Sequence, residues 1–195
     1  MKTLEQTLAE STLANYPDAF QTAMDFILPH ETVFEHGHQG DYDHVRTENV
    51  PGDNGGATRY GIDQSSHPGV DIDSLDLDAA LAIYWKEWQQ HECDLLPDKL
   101  AVASFDVWVN GGHANVWLQH AYNETNDPSA AELSEDGNLG PESLRALANS
   151  DQDEVLRVFL EQRQARFNRL AQKPSQGGFL AGWTNRNEDL AALLA

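Results

Sequence analysis

Basic residues are scarce in this sequence. Lys and Arg number 12 against 32 Asp and Glu in 195 residues, which gives a formal net charge of −20. Proteins that bind nucleic acids place Lys and Arg against the phosphates, so this composition argues against that class. A basic protein would also approach an anionic partner more readily, although at 1 M ionic strength charges are screened beyond about 3 Å. The acidity therefore indicates either a saline source or a need for solubility.

Cysteine and long apolar runs are scarce as well. The single cysteine, Cys93, excludes an internal disulfide, fits a reducing compartment and is expected to be a packing residue. No stretch approaches the roughly 18 consecutive apolar residues of a membrane span. The opening residues, MKTLEQTLAESTLANYPDAF, lack the apolar centre of a signal peptide, so we expect synthesis in the cytoplasm without one.

Apolar residues at helical spacing dominate much of the chain. They predict a helix from Pro17 to Pro29 and further helices over 76–91, 98–110, 114–122, from 142 onward and over 153–172. The stretch 32–71 is polar and rich in Gly, which predicts loops and a small sheet. We therefore expect a mainly α (α+β) fold with a small β-hairpin region.

The stretch from Met24 to Ile62 carries the residue types that a glycosidase needs. Cleavage of a glycosidic bond requires a carboxylic acid that protonates the leaving oxygen, and a second group that activates water or stabilises the transition state. Glu31 follows an apolar run and is expected just beyond the helix end, where apolar neighbours favour a protonated acid. Asp53 lies among Asn and Gly, where water favours a carboxylate base, and Thr58 is placed to hold the attacking water.

Four motifs together resemble one known family. They are ILPHE at 27–31, DNGGATRYGI at 53–62, FDVWVNGG at 105–112 and DGNLGPESL at 136–144. The set resembles the glycoside hydrolase family 108 lysozymes, which are N-acetylmuramidases of phages and bacteria with a predicted peptidoglycan-binding region in their C-terminal half. The family's His-Glu-Gly-Gly motif is matched at His30 and Glu31, with Thr32 and Val33 in place of the glycines. Asp53 falls on the Asp of the family's second motif but stands 22 residues after Glu31, which indicates an insertion.

The resemblance implies a lysozyme-like helical domain that hydrolyses the β-1,4 bond between N-acetylmuramic acid and N-acetylglucosamine. We expect an N-terminal arm at 1–15, a catalytic lobe at 16–92 and a helical lobe at 93–195 that resembles a peptidoglycan-binding region. The cleft is expected between the 32–63 lobe and the helices after Asp76. The expected partners are peptidoglycan glycan strands, the expected state is a monomer, and no cofactor or metal is expected. The expected site residues are Glu31, Asp53 and Thr58 for catalysis and His30, Tyr60, Asp106 and Asn110 for substrate, the last two in an element that is structural or lines the cleft.

The insertion leaves the second carboxylate open. Glu35, Asp41 or Asp43 could take the place of Asp53. The same stretch also holds three histidines, His36, His38 and His44, whose spacing matches no common zinc pattern. For these histidines we expect a solvated loop that contacts substrate.

Two other classes of function stay open. One is a peptidoglycan-binding module without catalysis, which the altered first motif and the insertion favour. The other is a chitinase or lytic transglycosylase that uses one Glu.

The stereochemistry of the reaction also stays open. Inversion of the anomeric configuration requires that the two carboxyl groups lie about 6.5–9.5 Å apart, and retention requires about 5–5.5 Å, a distance that a sequence does not give. Phage lysis and attack on neighbouring bacteria are both compatible with the sequence. Action in the periplasm would need a holin or a secretion system to deliver the protein. Attack on neighbouring bacteria would imply an immunity protein as a partner.

Overall fold

The computed structural model describes residues 11–49 and 55–195 of the chain. Within these ranges it contains seven α-helices and one three-stranded antiparallel sheet. The expectation of a mainly helical fold with a small β region is therefore confirmed. None of the described helices is both long and apolar enough to cross a membrane. The helices are α1 Asp18–Glu31, α2 Leu77–Gln90, α3 Asp98–Val109, α4 Ala114–Thr125, α5 Pro141–Ala148, α6 Gln152–Ala171 and α7 Leu180–Leu194.

The chain divides into two compact units, Met1–Gln90 and His91–Ala195. The expected arm at 1–15 and the lobes at 16–92 and 93–195 stay predictions. Most of the arm lies outside the described residues. Its last part forms a 3-10 turn, Thr12–Asn15, in which the backbone N–H and the hydroxyl of Thr12 both donate to Asp78 Oδ1, at 2.9 and 2.8 Å. These bonds fasten the turn to the first turn of α2.

The core of the first unit lies between α1 and α2. Phe20 of α1 meets Trp85 and Trp88 of α2 edge to face, with ring centroids 5.1 and 5.5 Å apart. Phe20 and Trp88 are fully buried, so both rings belong to the core. Asp76 caps the start of α2, because its Oδ1 accepts a hydrogen bond from Ala79 N–H at 2.8 Å.

The predicted end of α1 at Pro29 is wrong. The helix continues through Pro29, and Glu31 is its last residue. The fixed φ angle of proline suits a helix. Proline lacks an N–H and so removes one helical hydrogen bond, but the loss of one bond in the last turn need not stop a helix. Glu31 therefore belongs to the rigid helix rather than to the loop after it.

The small sheet follows the inserted loop. Its strands are β1 Glu48–Asn49, β2 Ala57–Arg59 and β3 Ile62–Asp63, with β2 in the middle and antiparallel to both neighbours. Thr58 at the centre of β2 is paired with Glu48 on one side and with Asp63 on the other. Directly paired residues present their side chains on the same face of a sheet, so these three side chains share one face.

The second unit is built around α6, its longest helix, which packs against α3, α4 and α7. A buried cluster of charges links these helices. Asp106 of α3 is fully buried, its Oδ2 lies 2.6 Å from Arg163 Nη1 of α6, and its Oδ1 lies 2.6 Å from Arg186 Nη2 of α7. A buried carboxylate needs such partners because burial without them costs several kcal/mol, of the order of 3–5.

Candidate active site

Glu31 lies at the C-terminal end of α1, half-buried, with the backbone of Gly61 packed against it. A Cβ placed on Gly61 would come within 2.7 Å of Glu31 Cβ and 3.3 Å of Glu31 Cγ. The same Cβ would also come within 2.7 Å of the hydroxyl of Tyr84. Only glycine therefore fits at this position, and the stem of Glu31 is confined by backbone that cannot easily move.

Gly61 belongs to the two-residue turn that joins β2 to β3. Both turn residues have positive φ angles, 54° at Tyr60 and 79° at Gly61. This is the pattern of a type I′ hairpin turn, whose twist matches that of the flanking strands. Tyr60 is a non-glycine residue in a left-handed conformation and so has to be held there by its contacts.

Three tyrosines hold this turn. The Tyr84 hydroxyl of α2 donates to the Tyr60 carbonyl at 2.8 Å, and the Tyr60 hydroxyl donates to the Tyr42 carbonyl at 2.7 Å. Burial raises the pKa of Tyr60, so its hydroxyl stays a neutral donor at ordinary pH. Burial also raises the pKa of Tyr42, which takes part in this arrangement through its carbonyl. Tyr60 is only 2% exposed and supports the turn, and the expectation that it contacts substrate stays a prediction.

Thr58 lies on the same hairpin, three residues before Gly61, and is half-buried. Its neighbour on the sheet face, Asp63, is an ionised carboxylate. Burial alone would raise the pKa of Asp63, but hydrogen bonds from the Ser65 hydroxyl and the Ser66 N–H outweigh it and bring the pKa to about 2. Asp53 lies outside the described residues, between β1 and β2 in the sequence, and its role stays a prediction.

The rival carboxylates lie on the inserted loop. Asp41 is buried, and its Oδ1 accepts a hydrogen bond from the Asp43 N–H at 3.2 Å. Glu35 is exposed, with Oε2 3.3 Å from His44 Nδ1. Asp43 is exposed. All three stay alternatives to Asp53.

His30 is exposed at the surface of α1. Its Nδ1–H donates to the Phe26 carbonyl at 2.8 Å, and its ring lies against the Phe26 ring with centroids 4.7 Å apart. These two contacts hold the imidazole in one orientation. The face of the ring that points away from Phe26 is available to a ligand.

Asp106 and Asn110 belong to the second unit. Asp106 is fully buried in its ion pairs with two arginines, so it supports the fold and has no surface to offer a substrate. Asn110 follows the last residue of α3, half-buried, and its N–H donates to the Asp106 carbonyl at 3.1 Å. The sequence analysis missed the arginines of this cluster, although an Asp inside the apolar run LAVASFDVWV signals a buried charge that needs a cation.

The second unit also contains a cavity of about 260 Å³. The rings of His91 and Trp108 stack at its wall, with centroids 3.6 Å apart, and burial lowers the pKa of His91 so that its ring is neutral. Ser104 Oγ is buried there and has no hydrogen-bond partner among the residues that the structure describes. Burial raises the pKa of the Cys93 thiol, which fits the packing role expected for it. The lining residues are His91, Cys93, Ser104, Trp108, Gly112, His113, Ala114, Asn115, Val116 and Gly137.

Two family models match successive parts of the chain. Residues 27–112 match the family model described as Glycosyl hydrolase 108, and residues 113–188 match the model described as Predicted Peptidoglycan domain. The chain therefore contains a region similar to the glycosyl hydrolase 108 family, followed by a region similar to the peptidoglycan domain, and the two matches support a hydrolase that acts on peptidoglycan. The resemblance of its motifs to that family is confirmed.

A solved structure shares the fold. The structure of Brucella abortus SagA superposes with a TM-score of 0.64 at 22% sequence identity, over 90% of this chain and 92% of that chain. No curated protein matches the chain in sequence.

Proposed function

We propose that the chain is an N-acetylmuramidase, which hydrolyses the β-1,4 bond between N-acetylmuramic acid and N-acetylglucosamine in peptidoglycan. Glu31 is the general acid, Asp53 the base or electrostatic stabiliser, and Thr58 the residue that orients the water. The proposal is supported most by the packing of Gly61 against Glu31, because this contact joins the acid to the hairpin that carries Thr58.

The proposed reaction begins with proton transfer from Glu31 to the oxygen of the scissile bond. A general acid is effective when its carboxyl is held in one orientation toward that oxygen. Glu31 meets this requirement because it ends a helix, and because the Gly61 backbone confines its Cβ and Cγ. The tyrosine hydrogen bonds fix the Gly61 turn in its place and so support Glu31 indirectly.

Attack by water completes the proposed reaction. The Thr58 hydroxyl would accept or donate one hydrogen bond to that water, while the Asp53 carboxylate takes its proton or stabilises the oxocarbenium-like transition state. Asp53 is preferred over the rival loop carboxylates because it stands only five residues before Thr58 in the sequence. No cofactor has a part in this scheme.

The products of digestion test the proposal. Purified peptidoglycan should be incubated with the parent, with Glu31→Gln and with Asp73→Asn, which removes one exposed carboxylate of the same unit, and the fragments identified by mass spectrometry. We expect reducing N-acetylmuramic acid ends from the parent and from Asp73→Asn, and none from Glu31→Gln.

Other products would point to the other classes of function. Anhydromuramyl ends would identify a lytic transglycosylase, and cleavage of chitin in place of peptidoglycan would identify a chitinase. If the peptidoglycan stays intact, and both the parent and Glu31→Gln sediment with it, the chain is a binding module without catalysis.

We also propose that the protein acts on the cell wall in the periplasm, delivered by a holin or a secretion system. The support for this is the substrate class alone, since peptidoglycan lies outside the cytoplasmic membrane. Expression in a host with and without a holin tests it, because lysis should require the holin.

A further inference from the structure

Three metal-ligand side chains meet in the inserted loop after α1. Glu35, His38 and His44 each bring one donor atom, and these atoms all lie within 4.8 Å of one another. His44 Nδ1 is 3.3 Å from Glu35 Oε2, and the ring centroids of His38 and His44 are 3.9 Å apart. The proposed cleavage of peptidoglycan uses none of the three.

The backbone of the loop brings these side chains together by itself. The N–H of Glu35 donates to the carbonyl of His44 at 2.9 Å, next to a bridge between residues 34 and 45, so the two side chains start from facing positions. Three consecutive turns, 35–38, 38–41 and 41–44, are each closed by a hydrogen bond of 2.9 to 3.0 Å. Gly37 and Gly40 have φ angles of 86° and 81°, which such tight turns require. The backbone thus places the three side chains close together before any ligand arrives.

The donor set selects the kind of ligand. Two imidazole nitrogens and one carboxylate oxygen suit Zn²⁺ and Co²⁺, whereas Ca²⁺ and Mg²⁺ prefer oxygen ligands alone. We propose that Glu35, His38 and His44 bind a divalent transition-metal ion of this kind. Zinc bonds of about 2.0–2.1 Å in a tetrahedral site place donors about 3.3 Å apart. The Glu35 and His44 atoms already have this separation, and rotation of His38 brings in the third donor.

Neighbouring groups complete the site. His38 Nδ1 is buried and has no hydrogen-bond partner among the described residues, and Asp41 Oδ2 lies 3.7 Å from it. Asp41 can therefore orient the His38 ring or supply a further oxygen. The carboxylates of Glu35 and Asp41 bring negative charge to the site, which attracts a cation. A bound ion would tie together both sides of a loop that begins directly after Glu31.

Metal binding can be measured without reference to hydrolysis. Untagged protein should be dialysed against a chelator and titrated with Zn²⁺ in competition with a chromophoric chelator, and Co²⁺ binding followed by visible absorption. We expect one tightly bound ion per chain. His38→Ala and His44→Ala should each lower the affinity at least about 10-fold and abolish the Co²⁺ absorption. His36→Ala is the matched control, since His36 is exposed in the same loop and lies outside the cluster, and it should bind as the parent does.

A second readout uses stability. Zn²⁺ should raise the Tm of the parent and of His36→Ala by several degrees, and leave the Tm of a His38→Ala/His44→Ala double variant unchanged. Circular dichroism verifies that each variant is folded. The proposal is overturned if the parent binds no Zn²⁺ at micromolar concentration, or if the double variant binds it as tightly as the parent. Those results would leave His38 and His44 as side chains of a solvated loop, which is what the sequence predicts.

Discussion

The side chain of Glu31 and the backbone of Gly61 are in such close contact that no larger residue fits at position 61. A Cβ there would approach both the Glu31 Cβ and the Tyr84 hydroxyl to 2.7 Å. Through this contact the end of α1 and the β2–β3 turn position one carboxyl jointly. Packing of this kind restricts the rotamers of an acid without using any of its hydrogen bonds.

The first prediction concerns Gly61→Ala. The substitution should lower the free energy of unfolding by about 2–4 kcal/mol. Holding alanine at a positive φ angle costs about 1 kcal/mol, and the steric overlap of its Cβ costs about 1–3 kcal/mol. It should also reduce the rate of peptidoglycan hydrolysis measured well below the melting transition, because the overlap displaces Glu31. Urea denaturation and a turbidity assay measure the two effects.

Gly37→Ala is the control for that prediction. Gly37 has a similar φ angle of 86°, but a Cβ there would meet nothing within 4 Å. Its cost should therefore be only the backbone cost of about 1 kcal/mol, with hydrolysis unchanged. Equal losses of stability in the two variants would show that the Glu31 contact contributes nothing.

The second prediction concerns the buried charges of the second unit. Asp106→Asn should lower the free energy of unfolding by about 3–5 kcal/mol, because it leaves the guanidinium groups of Arg163 and Arg186 without their carboxylate. Arg157→Ala on the surface of the same α6 helix breaks exposed ion pairs with Glu154 and Glu161 and should cost less than about 1 kcal/mol. Similar losses for both variants, measured by urea denaturation, would contradict the structural role of Asp106.

The third prediction concerns the pH dependence of stability at Asp63. Its pKa is lowered from an unfolded value near 3.8 to about 2, so the carboxylate stabilises the fold above pH 3.8 and this contribution disappears as the pH falls through 2. Because the group is partly exposed, we expect Asp63→Asn to lose only about 1 kcal/mol at pH 7. The difference between variant and parent should vanish near pH 2; a constant difference from pH 7 to pH 2 would refute the assignment.

The fourth prediction concerns the Thr58 hydroxyl and rests on the proposed mechanism. Thr58→Val keeps the shape of the side chain and removes the hydrogen bond to water, so the hydrolysis rate should fall about 10- to 100-fold. Thr58→Ser retains a hydroxyl and should keep most of the activity. Equal activity of the Val and Ser variants would exclude a role for this hydroxyl.

Much of the helical structure could be predicted from sequence because the apolar spacing is regular. The predicted helices over 76–91, 98–110 and 153–172 correspond to α2, α3 and α6 within one or two residues at each end. The end of α1 could not be placed in this way, because proline forbids one hydrogen bond but is compatible with helical φ. The local sequence does not determine whether the other backbone hydrogen bonds of the last turn form.

The candidate site was predicted in its residue types but not in its supports. Glu31 and Thr58 follow from chemistry and motif, whereas the tyrosine hydrogen bonds join residues 42, 60 and 84, which no local pattern relates. Tyr60 and Asp106 are buried by tertiary partners that sequence spacing does not show. The grouping of Glu35, His38 and His44 likewise results from three successive turns rather than from a ligand motif.

The initial rate at which Glu31→Gln releases soluble fragments from purified peptidoglycan tests the central claim most directly. Gln has the shape of Glu but no acidic proton, so the rate should fall at least about 100-fold relative to the parent, with an unchanged circular dichroism spectrum. Asp73→Asn should keep the parent's rate. A folded Glu31→Gln protein that releases fragments as fast as the parent would contradict the assignment of Glu31 as the general acid.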